Sequence, residues 1–348
     1  MANFLPSTQE WMDLYNAALE FKQIECWNWM EDSDLFGVQN PHDGEIAYCC
    51  VLGGLGEVFG LIAYLGPEGL NGYLRMQSGE IPSDDIDAIH LQKCLMASYD
   101  DRKFLQKKDL QVIKSLGLKF RGPKVWPLFR NYQPGYQPWY LNKEEAIFLT
   151  TALQQAREVS LRFKENRELF NPPLKDHCLV RVPEQGSTSL QWRDEWLKFP
   201  HLEKAEFVIP PVDEIRVKRI KKMASRRPTV WECDFFYAPL TIHEGERPFF
   251  PYALLWVDDR SGLILKNHLS EHSGYRSDFQ NQFLNLIEEV KFLPQEVCVK
   301  KEEAFKLLEP MTSKLEIKLI LTKKVRALEE ARKGMFDFFL NRKLVEPR

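Results

Sequence analysis

Two runs decide how the chain is read: Val230-Trp231-Glu232-Cys233-Asp234-Phe235-Phe236-Tyr237, and then Phe250-Pro251-Tyr252-Ala253-Leu254-Leu255-Trp256-Val257-Asp258. Both are dense in aromatic and aliphatic residues and too short for helices, so they read as buried strands. The turn Asp259-Arg260-Ser261-Gly262 leads into a third strand, Leu263 to Leu269. Beyond it the pattern alternates: a helix over 278–290, a short strand over 296–299, a helix over 301–309, a strand over 317–321 and a final helix over 325–340. The second half is therefore expected to be a mixed sheet in the order βββαβαβα.

Working outward, a hairpin (Cys178 to Pro183 and Leu190 to Phe199 around the polar turn 184–189) and a basic helix (Val212 to Ala224) precede this sheet. Asn171-Pro172-Pro173 punctuates the chain before the hairpin. The boundary is set there, giving an N-terminal α+β domain, 1–170, and a C-terminal α+β domain, 174–348. In the first domain, Ser7 and Glu10 form a capping box for a helix over 7–30. Glu45 to Leu52 and Val58 to Leu65 read as a hairpin across Gly53-Gly54-Leu55-Gly56, with Leu70 to Gln77 starting a helix. Pro82 to Leu116 is expected to be mostly helical, with Ile86, Ile89, Leu91, Leu95 and Met96 as its apolar face. Val125 to Arg130 reads as a strand, and Asn142 caps a long helix reaching Lys164. The first domain is thus a small antiparallel sheet with helices.

A chain of 348 residues exceeds what one core usually fills, consistent with two domains. With 47 basic and 50 acidic residues, net charge favours no class of charged partner. The start carries no basic-then-apolar leader, and glycines break the longest apolar stretch, Cys49 to Leu65, so neither a secretory signal nor a membrane span is expected. Seven cysteines without a CxxC read as buried reduced thiols of a cytoplasmic protein, and Cys49 and Cys50 should face opposite ways on their strand.

Four constellations are candidates for chemistry. Arg216, Lys218, Arg219, Lys221, Lys222, Arg226 and Arg227 crowd one helix, whose apolar edge is expected from Ile215, Ile220 and Met223. Together with Lys300 and Lys301 they form a candidate nucleic-acid contact, against the reading of a solvated face balanced by acids elsewhere. His243, Glu244 and Glu246 are metal-ligand types on one loop, and His268 and His272 are four apart, but neither set has the spacing of a metal site, and no metal or cofactor is expected. The glycines at 53, 54 and 56 precede a strand and read as a hairpin turn. Trp126, Tyr132, Tyr136, Trp139 and Tyr140 surround a Pro- and Gly-rich loop, which serves either core packing or a small-molecule site.

Two resemblances bear on these residues. Three strands followed by alternating helices and strands is the layout of the ribonuclease H-like fold. Within it, Trp231 to Asp234 followed by Pro251 to Gly262 resembles the opening of a retroviral-type integrase or transposase core. That resemblance implies that Asp234 begins a carboxylate cluster holding two Mg²⁺ ions. It also implies an Asp after the fourth strand, where this chain has Val299-Lys300-Lys301-Glu302. Glu302 as a displaced second carboxylate, with Glu329 or Glu330 as a third, would be needed for catalysis. In addition, Asp34 to Gly37, Gly44 to Cys49, Gly56-Glu57, Gly69-Leu70 and Glu244 to Tyr252 look like a group of uncharacterised bacterial proteins with two successive domains of unknown function. The expectation is a non-catalytic binding or interaction protein, possibly contacting nucleic acid. A divergent metal-dependent nuclease or transferase using Asp234, Glu302 and Glu330 is the first alternative, and a small-molecule-binding module the second.

Overall fold

The structure, a computed structural model, describes residues 5–80, 86–184, 190–200 and 207–343. The chain divides into two units, Met1–Glu203 and Lys204–Arg348.

The first unit is a seven-stranded sheet. Its strands are β1 (Phe36–Gln39), β2 (Ile46–Leu52), β3 (Gly60–Leu65), β4 (Cys94–Asp100), β5 (Trp126–Tyr132), β6 (His177–Glu184) and β7 (Gln191–Lys198), in the order β5-β4-β3-β2-β1-β6-β7. All neighbours are antiparallel except β1 and β6, which run parallel. Helices α1 (Thr8–Ile24) and α4 (Lys143–Glu165) pack together against one face. The capping boxes at Ser7/Glu10 and Asn142/Glu145 form as expected. Helix α2 (Gly66–Gln77) covers part of the other face, and α3 (Lys107–Ser115) lies between β4 and β5 in sequence. Ala47, Cys49 and Val51 point into the first core, while Tyr48 and Cys50 point into the second, so the adjacent cysteines do face opposite ways. All seven cysteines are free thiols, six of them buried.

Three expectations for this region are corrected. Residues 94–100, expected to be helical, form β4, and Leu95, Ala97 and Tyr99 alternate into the α1/α4 core. Short 3-10 turns and α3 flank the strand, so the combined apolar spacing mimicked a single helix; residues 82–85 of that expectation lie outside the described residues. Residues 36–39, expected as loop, form β1. A Cβ at Gly37 would stand 2.7 Å from Val180 Cγ2, so the glycine permits the close parallel approach of β6. The hairpin of β6 and β7 forms as expected, its turn at 185–189 lying outside the described residues, but it belongs to the first unit. The boundary therefore moves from 171–173 to about 203, because Asn171-Pro172-Pro173 only links α4 to β6.

The second unit is the mixed sheet β10-β9-β8-β11-β12, built from β8 (Ser225–Tyr237), β9 (Tyr252–Asp258), β10 (Ile264–Ser270), β11 (Phe292–Val299) and β12 (Lys318–Leu321). The first three strands pair antiparallel, and β11 and β12 extend the sheet in parallel from β8. Helices α6 (Tyr275–Val290) and α7 (Glu302–Leu315), with α5 (Glu214–Met223), cover one face, and α8 (Arg326–Lys343) lies on the other. Along β8, Trp231, Cys233 and Phe235 enter the α6/α7 core, so Glu232, Asp234 and Phe236 face the α8 side. This βββαβαβα succession and strand order are the ribonuclease H-like layout expected from the sequence, making the chain α+β in both units.

Candidate functional site

Strand β8 brings the residue at the integrase-like position, Asp234, to the start of α7. The side chain is only 4% exposed. Its carboxylate accepts the backbone N–H of Phe235 at 2.8 Å and those of Lys300 and Lys301. The N-cap of α7, Lys301, supplies no side-chain cap of its own, so Asp234 closes that helix end from a neighbouring strand. The Lys301 ammonium donates to the Phe235 carbonyl and stands 4.9 Å from the Phe235 ring centroid. Burial raises the Asp234 pKa, against the lowering effect of Lys301 and the three N–H groups.

The other carboxylates that catalysis would require are elsewhere. Glu302 is exposed in the first turn of α7, and Glu330 is exposed on α8. Glu329 pairs with Lys300 at 2.9 Å. Among the described residues, no three His, Cys, Asp or Glu side chains are grouped to hold a metal ion. Beyond Asp234, the same end of the sheet is filled with rings. Tyr252 lies 4.4 Å from Tyr237 and 4.2 Å from Tyr275 between centroids, and its hydroxyl donates to that of Tyr237 at 3.0 Å.

A second carboxylate on β8 does a similar job, which the sequence did not suggest. Glu232 accepts the N–H of Leu328 at 2.8 Å and that of Ala327, at the start of α8. It also shares a side-chain hydrogen bond with Asp259. Two carboxyl groups can share such a bond only if one is protonated, and burial with this neighbour raises the Glu232 pKa. A raised folded-state pKa gives stabilisation that is complete below the unfolded value of about 4.3 and is lost as pH rises through the folded pKa. Asp259→Asn supplies an amide donor that needs no proton. The variant is therefore expected to gain thermal stability over the native chain near neutral pH, with the gain vanishing toward about pH 4. Melting curves across that range check it, and a pH-independent difference would dismiss the shared proton.

Helix α5 carries the basic candidates. Asp213 caps it, and Val217 and Ile220 are buried. The expected apolar edge is corrected: Ile215 is 83% and Met223 64% exposed, because the buried stripe runs through Val217 and Ile220 instead. Arg216 meets Glu288 at 2.6 Å and Arg219 meets the same carboxylate at 2.8 Å. Lys221 and Arg226 both pair with Glu316, at 2.8 and 2.9 Å. Hydrogen bonds from these cations, led by Arg216 for Glu288 and by Lys221 for Glu316, hold both glutamates below their usual pKa. Lys218 and Lys222 are exposed, with no ion pair within 4 Å among the described residues.

The remaining candidates resolve into ordinary roles. The His243 ring contacts the Thr241 hydroxyl at 3.2 Å on an exposed loop. His268 faces Asp278 at 3.8 Å, whereas the His272 ring meets the Phe250 carbonyl at 2.7 Å, so the two histidines serve different neighbours. Gly53 and Gly56 have positive φ in the β2–β3 turn. In the first unit, Tyr140 stacks 4.8 Å from the Arg130 guanidinium and Trp126 packs on Phe120. The aromatic loop contributes Tyr140 to a small cavity of about 140 Å³, alongside Trp11, Tyr15 and Phe129. A larger cavity of about 560 Å³ lies between β10 and α8, lined by Ile264, Leu269, Gly334, Met335 and Phe338. Sequence reasoning missed it, since those residues read as buried strand and helix faces.

Residues 11–181 match the family model of a domain of unknown function (DUF7309), and residues 216–336 that of another (DUF6930). No curated protein matches the chain. Among solved structures, the second unit is similar to the HTLV-2 integrase catalytic core domain in complex with magnesium. For its dimeric form the identity is 18%, over 34% of this chain and 73% of that one, with a TM-score of 0.25. For the trimeric form the identity is 15%, over 36% and 79%, also at 0.25. A simian T-cell lymphotropic virus intasome in complex with PP2A regulatory subunit B56 gamma matches at 14% identity, over 34% and 44%, with a TM-score of 0.26.

Proposed function

We propose that this chain is a non-catalytic binding or interaction protein whose second unit keeps a ribonuclease H-like scaffold without its metal chemistry. The observation that carries the reading is the role of Asp234. Its oxygens are engaged by three backbone N–H groups under α7, with the Lys301 ammonium alongside, where a catalytic aspartate would offer them to Mg²⁺. Nucleic acid is the partner class to test first. Lys218 and Lys222 leave α5 exposed and uncommitted to acids, and phosphate contacts by such lysines release counterions. A bacterial cytoplasmic setting fits the free cysteines, and no described helix is long and apolar enough to cross a membrane.

The test is fluorescence anisotropy with single- and double-stranded DNA and RNA at low and high salt, with and without Mg²⁺ or Mn²⁺. Salt-sensitive binding without cleavage is expected. Lys218→Gln with Lys222→Gln should reduce the salt slope by about 2, one for each lost phosphate contact. Metal-dependent cleavage would overturn the non-catalytic reading, and absence of binding at low salt would remove nucleic acid as the partner.

A further inference from the structure

The cavity between β10 and α8 has an unusual floor. Gly334 lies in the interior of α8, where glycine weakens a helix, and a Cβ built there would meet no atom within 4 Å. Nothing inside this chain therefore demands the glycine; the open space above it does. One turn later on the same face, Phe338 is 53% exposed, and Ile264 and Leu269 are exposed along the strand side. Strand β10 is an edge of its sheet, hydrogen-bonded only to β9.

The residues at this spacing along α8 read Glu330, Gly334, Phe338 and Arg342. Reversed, the row is its own complement. Two copies of α8 running antiparallel, with Phe338 of one over Gly334 of the other, also set Glu330 opposite Arg342 at both ends. An apolar knob meets a hollow twice, and an acid meets a base twice, as a two-fold interface requires. Rows of residues four apart are also those that interdigitate in the commonest class of helix packing. We infer that the groove between β10 and α8 is a homodimer interface, occupied by α8 of a second copy of this chain. Burial of Phe338, Ile264 and Leu269 supplies the attraction, and the Glu330–Arg342 pairs fix the antiparallel sense.

The experiment is sedimentation velocity on the full chain over a range of concentrations, with melting curves recorded in parallel. The native chain is expected to dimerise. Gly334→Leu fills the hollow and should weaken association by at least about tenfold, the loss seen on disturbing an interface anchor. Its monomer should melt no lower than the native monomer, since leucine favours the helix and meets nothing there. Glu330→Arg should also weaken the dimer, and Glu330→Arg with Arg342→Glu should restore it. A native chain that stays monomeric, or a dimer indifferent to both substitutions, overturns the proposal. So does a monomer that takes up an apolar dye in the groove and loses it in Gly334→Leu, which would make the cavity a small-ligand site.

Discussion

Asp234→Ala is expected to destabilise the second unit by about 2–4 kcal/mol, because it strips acceptors from several buried N–H groups at once. The carboxylate takes the N–H of Phe235, Lys300 and Lys301, and the site has no room for solvent to replace it: Asp234 is almost fully buried beneath α7. An unsatisfied buried donor costs about 1–3 kcal/mol, against a whole-domain stability of about 5–15 kcal/mol. The effect should also be local. Hydrogen exchange of the amides at 300–306 should accelerate more than that of β12, since α7 loses the group that closes its first turn. Asp234→Asn keeps one acceptor oxygen but turns an amide toward donors, so an intermediate loss is expected. A catalytic aspartate predicts the reverse pattern: activity abolished, stability unchanged or raised, and metal affinity lost. Denaturant unfolding of the two variants, read beside the Mg²⁺ and Mn²⁺ assays, separates the two roles. Unchanged stability in Asp234→Ala would sink the capping account.

The sequence was most legible where the deciding interactions are local. Ser7 with Glu10, and Asn142 with Glu145, are three residues apart, and both caps form. The strand and helix succession from Val230 onward rests on contiguous apolar runs and was readable for the same reason. What failed was non-local. Residues 94–100 are a strand because β3 and β5 flank them, a fact absent from their own spacing. The placement of the β6–β7 hairpin depends on Gly37 meeting Val180 across more than a hundred residues of chain. The site shows the same division. The basic run on α5 was plain, but its neutralisation by Glu288 and Glu316 is a matter of tertiary contact. Asp234 was correctly singled out as an unusual strand residue, and only the fold reveals that its partners are the backbone of Lys300 and Lys301, the very residues that displace the second carboxylate.

The largest effect in the first unit is expected from Arg130→Met, at about 3–5 kcal/mol, because it leaves a carboxylate buried without its partner. Arg130 reaches Asp109 through two parallel contacts, 2.9 and 2.7 Å, and donates also to the Phe129 carbonyl at 2.7 Å. Both side chains are about nine-tenths buried, and Tyr140 covers the guanidinium, so solvent cannot screen the loss. Exposed pairs such as Arg193 with Glu195 should, by contrast, yield less than about 1 kcal/mol. Adding Asp109→Leu to Arg130→Met should recover most of the deficit, since an apolar pair of similar volume avoids desolvating two charges. Recovery should stop about 1 kcal/mol short, because Asp109 also accepts the Gln106 N–H and caps α3. Urea unfolding followed by tryptophan fluorescence measures all three variants. A double variant as unstable as Arg130→Met would show that the pair is held for its geometry rather than its charge balance. Recovery would identify it as an internal brace, and the cavity beside it, which Asp109 and Tyr140 line, as a packing space with no charge of its own to offer a ligand.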